Sequence, residues 1–95
     1  MPRYVIERTF PDGVAIPQTE VGARFCRGVI AVNAREGVTW LHSYVNADRT
    51  KTFCIYEAPS PEAIRSVAAR NQLPVDSITE VSVLDPHFFR AAASA

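Results

Sequence analysis

Residues 38–45, VTWLHSYV, alternate with the period of a β-strand, yet both sides of that strand carry bulk. Thr39, Leu41, Ser43 and Val45 fall on one side, while Val38, Trp40, His42 and Tyr44 fall on the other. A polar connection, NADRTK at 46–51, leads to a second apolar run, TFCIYEA at 52–58. Two such runs joined by a short polar stretch read as a hairpin. A half-buried strand gives one side to a core and the other to water. Tryptophan, histidine and tyrosine together on the second side therefore need their own explanation.

Upstream of the hairpin, RYVIERT at 3–9 reads as a first strand, and PDG at 11–13 as a turn. From about Gln18 the period becomes helical: Val21, Phe25, Val29 and Val32 form a stripe widened by Gly22, Cys26 and Asn33. Gly22 and Gly28 each cost a helix roughly 1 kcal/mol relative to alanine, which close packing is expected to offset. Gly37 stands where a helix-ending glycine belongs. Downstream, Ser60, Pro61 and Glu62 have the order of an N-cap, a first helical proline and a dipole-complementing acid. Ile64, Val67, Ala68 and Asn71 mark the inner stripe of that helix, and SITEVSVL at 77–84 reads as a fourth strand.

The order β-α-β-β-α-β, with right-handed crossovers, gives an α+β ferredoxin-like split βαβ fold: four antiparallel strands with both helices on one face. The domain is expected over residues 1–89, with 90–95 a flexible tail. At 95 residues the chain is long enough for one thin-cored domain. Ten cationic and ten anionic side chains balance, with no basic block, which argues against nucleic acid as partner. No run approaches the ~20 apolar residues of a membrane span, and no leader pattern opens the chain, so a cytoplasmic protein with reduced cysteines is expected.

Period-2 sorting assigns Tyr4, Ile6, Leu41, Val45, Phe53, Ile55, Val81 and Val83 to the helix-covered face. It assigns Val5, Glu7, Thr9, Trp40, His42, Tyr44, Thr52, Cys54, Tyr56, Glu80 and Ser82 to the open face. With the strands in the order 4-1-3-2, Glu7, Cys54 and His42 would line up across three neighbours. An open face carrying Trp40, Tyr44 and Tyr56 is too apolar to stay wet, and pairing with a second copy is the natural cover. On this sorting, Trp40→Asp should favour monomers. Cys26 and Cys54 should lie on opposite sides of the sheet, beyond bridging distance.

One imidazole, one thiol and two carboxylates on a single face form a mixed donor set, suited to a borderline ion such as nickel, zinc or copper. The same residues also have a purely structural reading, with His42 stacked between aromatics and Cys54 a small packing residue. His87 beside Asp85 is either a second surface pair or a solvated histidine.

The stretches ERTFPDG, GVTWLHSYV and KTFCIYEAPSPEAIRSVAARNQLP resemble a small actinobacterial-type family long filed as a domain of unknown function, with a nickel-binding member. The resemblance runs from about Met1 to about His87. It implies a ferredoxin-like fold, a homodimer, and nickel held at the dimer surface for sequestration or detoxification rather than catalysis. It carries the neighbourhood of the ligands rather than a ligand set. His42 in TWLHSY is the first candidate, followed by Glu7 in ERTF and Cys54 in TFCIY, then Tyr44, Glu80, Asp85 and His87.

Three other readings compete. A small dimeric enzyme of monooxygenase or isomerase type would enclose its substrate between sheet and helices and use His42 with Glu7 as acid and base. An RNA-recognition sheet would need several outward aromatics on its middle strands and a positive field, and the chain's balanced charge does not provide that field. A non-catalytic dimeric scaffold is the third.

Overall fold

A computed structural model describes residues 1–16 and 19–87 of the chain. Its elements are β1 (Arg3–Thr9), α1 (Glu20–Ala34), β2 (Thr39–Val45), β3 (Lys51–Glu57), α2 (Pro61–Asn71) and β4 (Ser77–Val81). The strands form one antiparallel sheet in the order β2-β3-β1-β4, the ferredoxin-like α+β topology read from the sequence. The tail expected at 90–95 lies outside the described residues.

The helix ends follow their local chemistry. Ser60 Oγ accepts the Ala63 N–H at 3.2 Å, and Pro61 opens α2 without a wasted donor. Past α1, Gly37 adopts φ +72°; its N–H bonds Ala34 O at 3.2 Å, while the Val38 N–H bonds Asn33 O at 3.0 Å. That pair of bonds satisfies carbonyls left over at the helix end and turns the chain into β2. The buried stripe of α1 is Gly22, Val29 and Asn33, with Cys26 half-buried between them. Val21 is 61% exposed and Phe25 43%, so the inner face is turned slightly from the stripe expected on periodicity. Gly28 is exposed with no atom near the place of a Cβ, so packing does not offset its cost. Asn71 Nδ2 donates to Asn33 Oδ1 at 3.1 Å and ties α2 to α1.

The register decides which residues face the helices. Directly opposed residues share a side of the sheet, and β1 pairs Tyr4 with Tyr56, Ile6 with Cys54 and Arg8 with Thr52. All six are buried, and Tyr4, Ile6, Cys54 and Tyr56 form the core with Val38, Ala58, Ile64 and Val67. The expected sorting of β3 is therefore reversed: Thr52, Cys54 and Tyr56 lie under the helices, and Phe53 and Ile55 lie on the open face. Between β2 and β3 the pairs are Trp40 with Tyr56, then His42 with Ile55, Ser43 with Cys54, Tyr44 with Phe53 and Val45 with Thr52. The register slips between Trp40 and His42, leaving Leu41 as the extra residue of a bulge. Below the bulge Trp40 faces the helices; above it Ser43 and Val45 do, while His42 and Tyr44 face outward. The three large residues of the opening stretch are thus divided between two faces.

Strand β4 is shorter than the sequence suggests. It pairs Arg3 with Val81, so Ser82 would meet Pro2, which has no N–H to continue the ladder. Val83 and Leu84 are exposed beyond its end, and Val83 therefore has no place on the covered face. Glu80 sits opposite Tyr4, on the helix side, and Val81 lies on the open side with Arg3. Both placements correct the expected sorting.

Candidate functional site

The open face is built from alternate residues of all four strands: His42 and Tyr44, Phe53 and Ile55, Val5 and Glu7, and Ser77, Thr79 and Val81. No helix covers it. Its middle is apolar, with Val5 directly opposite Ile55. Two ion pairs frame that strip: Arg3 with Glu57 at 2.8 Å, and Lys51 with Glu7 at 3.3 Å. His42 is exposed and meets Tyr44 edge-on, ring centres 5.2 Å apart and planes at 86°.

Of the residues singled out as metal candidates, His42, Tyr44 and Glu7 share this face. They do not converge. Strand β3 separates His42 from Glu7, which makes two interstrand steps of about 4.8 Å each plus an offset along the strands. The Glu7 carboxylate is engaged, accepting from Lys51 Nζ at 3.3 Å and from Ser77 Oγ at 3.2 Å. Cys54 is on the opposite face, its thiol donating to Thr52 Oγ1 at 3.7 Å, so the expected row of Glu7, Cys54 and His42 does not form. Glu80 lies across from Tyr4, where burial, then Glu80 and then Glu62, push the phenol above its ordinary range. Asp85 and His87 follow β4 and are exposed, and the Asp85 carboxylate accepts the His87 backbone N–H at 2.9 Å. Among the described residues, no three His, Cys, Asp or Glu side chains come together closely enough to hold an ion. A closed metal site within one chain does not fit these residues.

The other face holds what the sequence reading missed. Between the sheet, α1 and the 10–16 loop lies a cavity of about 490 Å³. The loop is held over it by hydrogen bonds to the β2–β3 turn: the Phe10 N–H to Thr50 O, the Val14 N–H to Arg49 O, and Arg49 Nε to Val14 O. Trp40, Phe25 and Val29 contribute apolar wall, and Cys26 and Cys54 both line it as free thiols. The expectation that the two cysteines lie on opposite sides of the sheet is thereby corrected. The cavity is where an enzyme reading would enclose substrate, but His42 and Glu7, the acid–base pair of that reading, are on the far side of the sheet.

Arg8 forms part of the cavity wall and is only 2% exposed. Its Nη1 donates to Pro74 O at 2.7 Å and its Nη2 to Tyr56 Oη at 3.2 Å, while Nε has no acceptor. Parity could have found it. Arg8 shares its side of β1 with Tyr4 and Ile6, and a charge on the inner side of a strand is a signal in itself.

Comparison with known proteins follows the fold. No curated protein matches the sequence. Among solved structures, the crystal structure of SCO4226 from Streptomyces coelicolor A3(2) is similar with a TM-score of 0.68 and 20% identity, covering 87% of this chain and 99% of that one. An aspartate kinase from Clostridium acetobutylicum aligns with a TM-score of 0.39 and 19% identity over 83% of this chain and 17% of its own, too loosely to carry an argument. Residues 4–81, from the first strand to the end of the last, match the family described as nickel responsive protein SCO4226-like, and the chain belongs to that family.

Proposed function

We propose that the chain binds a divalent transition metal, nickel foremost, at His42 on the open sheet face, and that two copies pair over this face so that donors from both complete the coordination. The observation that carries the reading is the position of His42. It is an exposed imidazole, without a hydrogen-bond partner among the described residues, at the border of an apolar strip that neither α1 nor α2 covers. An imidazole suits nickel, zinc and copper alike, and the family's nickel-responsive description favours nickel among them. One chain supplies too few convergent donors, and a two-fold pair supplies each donor twice. Burial of Val5, Phe53 and Ile55 drives the pairing, and Tyr44 and Glu7 are the further candidates within the same face. An ion held between two chains by donors from both, with no enclosed substrate space beside it, fits sequestration in the cytoplasm better than catalysis.

Sedimentation of untagged protein with and without nickel chloride tests the reading. A dimer that nickel strengthens supports it, and a monomer under both conditions refutes it.

A further inference from the structure

The cavity beneath the helices has a composition that selects for charge. Among its lining residues, the ionised side chains are both arginines, Arg8 inside and Arg49 in the β2–β3 turn, and no Asp or Glu lines it. No carboxylate among the described residues lies within 4.0 Å of the Arg8 guanidinium, since the ion pairs among those residues involve Arg3, Arg27, Lys51 and Arg70. A buried cation with no counter-charge is costly, and here a carbonyl, a phenol oxygen and the Tyr56 ring, its centre 5.8 Å from the guanidinium carbon, offset that cost in part. The Nε–H has no acceptor at all. Around the buried Arg8 the wall is Phe25, Val29, Trp40, Val45 and Leu73.

From this geometry we infer that the cavity is a binding site for a small apolar monocarboxylate, its carboxylate on Arg8 and its hydrocarbon part against Trp40 and Phe25. The volume of about 490 Å³ falls within the ~300–1,000 Å³ usual for small-molecule sites. Arg8 is the buried guanidinium of the wall and Arg49 is exposed to solvent, so a single carboxylate on Arg8 answers the buried charge. Two of the guanidinium's five N–H groups are committed to Pro74 and Tyr56, and the other Nη N–H groups remain for a carboxylate. The bulge at Leu41 contributes directly, because it turns Trp40 and Ser43 together toward this space. The site is independent of the metal reading, which concerns the other face.

Trp40 is the only tryptophan and lines the cavity, so its emission reports occupancy. The test titrates untagged protein with sodium octanoate and, separately, with 1-octanol, following Trp40 emission and heat. Octanoate is expected to bind at least about tenfold more tightly than the alcohol, because only the acid gains a charge-assisted bond. In Arg8→Met, with folding verified by circular dichroism, that preference falls to within about twofold. Cys26→Phe, which fills the cavity from α1 without touching Arg8, weakens octanoate at least about tenfold by removing its space. Equal affinity for acid and alcohol in the wild type, no binding of either by both readouts, or unchanged octanoate affinity in a folded Cys26→Phe would each overturn the inference.

Discussion

Trp40 and Ser43, three positions apart on β2, lie on the same side of the sheet and are joined by a 2.8 Å hydrogen bond from Trp40 Nε1 to Ser43 Oγ. In a regular strand residues three apart point to opposite sides. The inserted Leu41 makes this bond possible, so that Ser43 Oγ satisfies the indole N–H, and it separates Trp40 from the His42 and Tyr44 that share its parity in the sequence.

Deleting Leu41 should therefore be tolerated. The shortened strand alternates regularly, with Trp40 still opposite Tyr56 and His42 still opposite Ile55. We expect a folded protein with buried Trp40 emission, destabilised by no more than about 2 kcal/mol in urea. Deleting Phe53 from the unbulged β3 should abolish cooperative unfolding, because it turns part of that strand over.

Substitutions on the two faces should separate folding from association. Ile55→Asp on the open face should leave the monomer folded and shift sedimentation toward it. Trp40→Asp should instead destabilise the fold by about 2–4 kcal/mol, since the new carboxylate enters the helix-covered layer. Equal effects of the two on thermal unfolding would contradict the face assignment.

Gly28→Ala should stabilise the protein by about 1 kcal/mol, with a rise in Tm of ~4–8 °C. The position is helical and exposed, with open space where the methyl group would go. An unchanged or lower Tm would count against the helix geometry.

Stability should fall at both ends of the pH scale for identifiable reasons. Asp48 accepts from the Thr50 hydroxyl at 2.5 Å and the Thr50 N–H at 3.1 Å, and these bonds hold its carboxyl below the ordinary 3.8. Its contribution to the hairpin is present above that value and is lost as pH falls through the lowered one. Tyr4 is raised above 10.0 by burial, then by Glu80 and Glu62, so the fold favours the neutral phenol. That contribution is complete below 10.0 and is lost as pH rises through the raised value. Urea midpoints measured across pH should lose part of the acid limb in Asp48→Asn and part of the alkaline limb in Tyr4→Phe.

The element order was legible because caps, prolines and periodicity agree along the chain: Ser60 with Pro61, Gly37, and the polar connection at 46–51. The side of β1 was legible too, since Tyr4 and Ile6 outweigh Val5 and Glu7. For β3 the pattern was ambiguous. Thr52, Cys54 and Tyr56 can fill a core as Phe53 and Ile55 can, and a strand apolar on both sides does not declare which one is inside. No glycine or proline marks the bulge at Leu41, so its change of parity could not be read locally. The site inherited both errors. His42, Tyr44 and Glu7 were placed on the correct face, whereas Cys54, Glu80 and Trp40 were not. The reassignment leaves the open face with Phe53 and Ile55 beside Val5, all three half-buried.

The proposed role rests on an exposed imidazole at the border of the open face, and a calorimetric titration of untagged protein with nickel chloride, alongside His42→Ala, tests it most directly. The account predicts saturable binding in the wild type and at least about a tenfold loss of affinity in a variant that remains folded. Equal nickel affinity in the two proteins would contradict it.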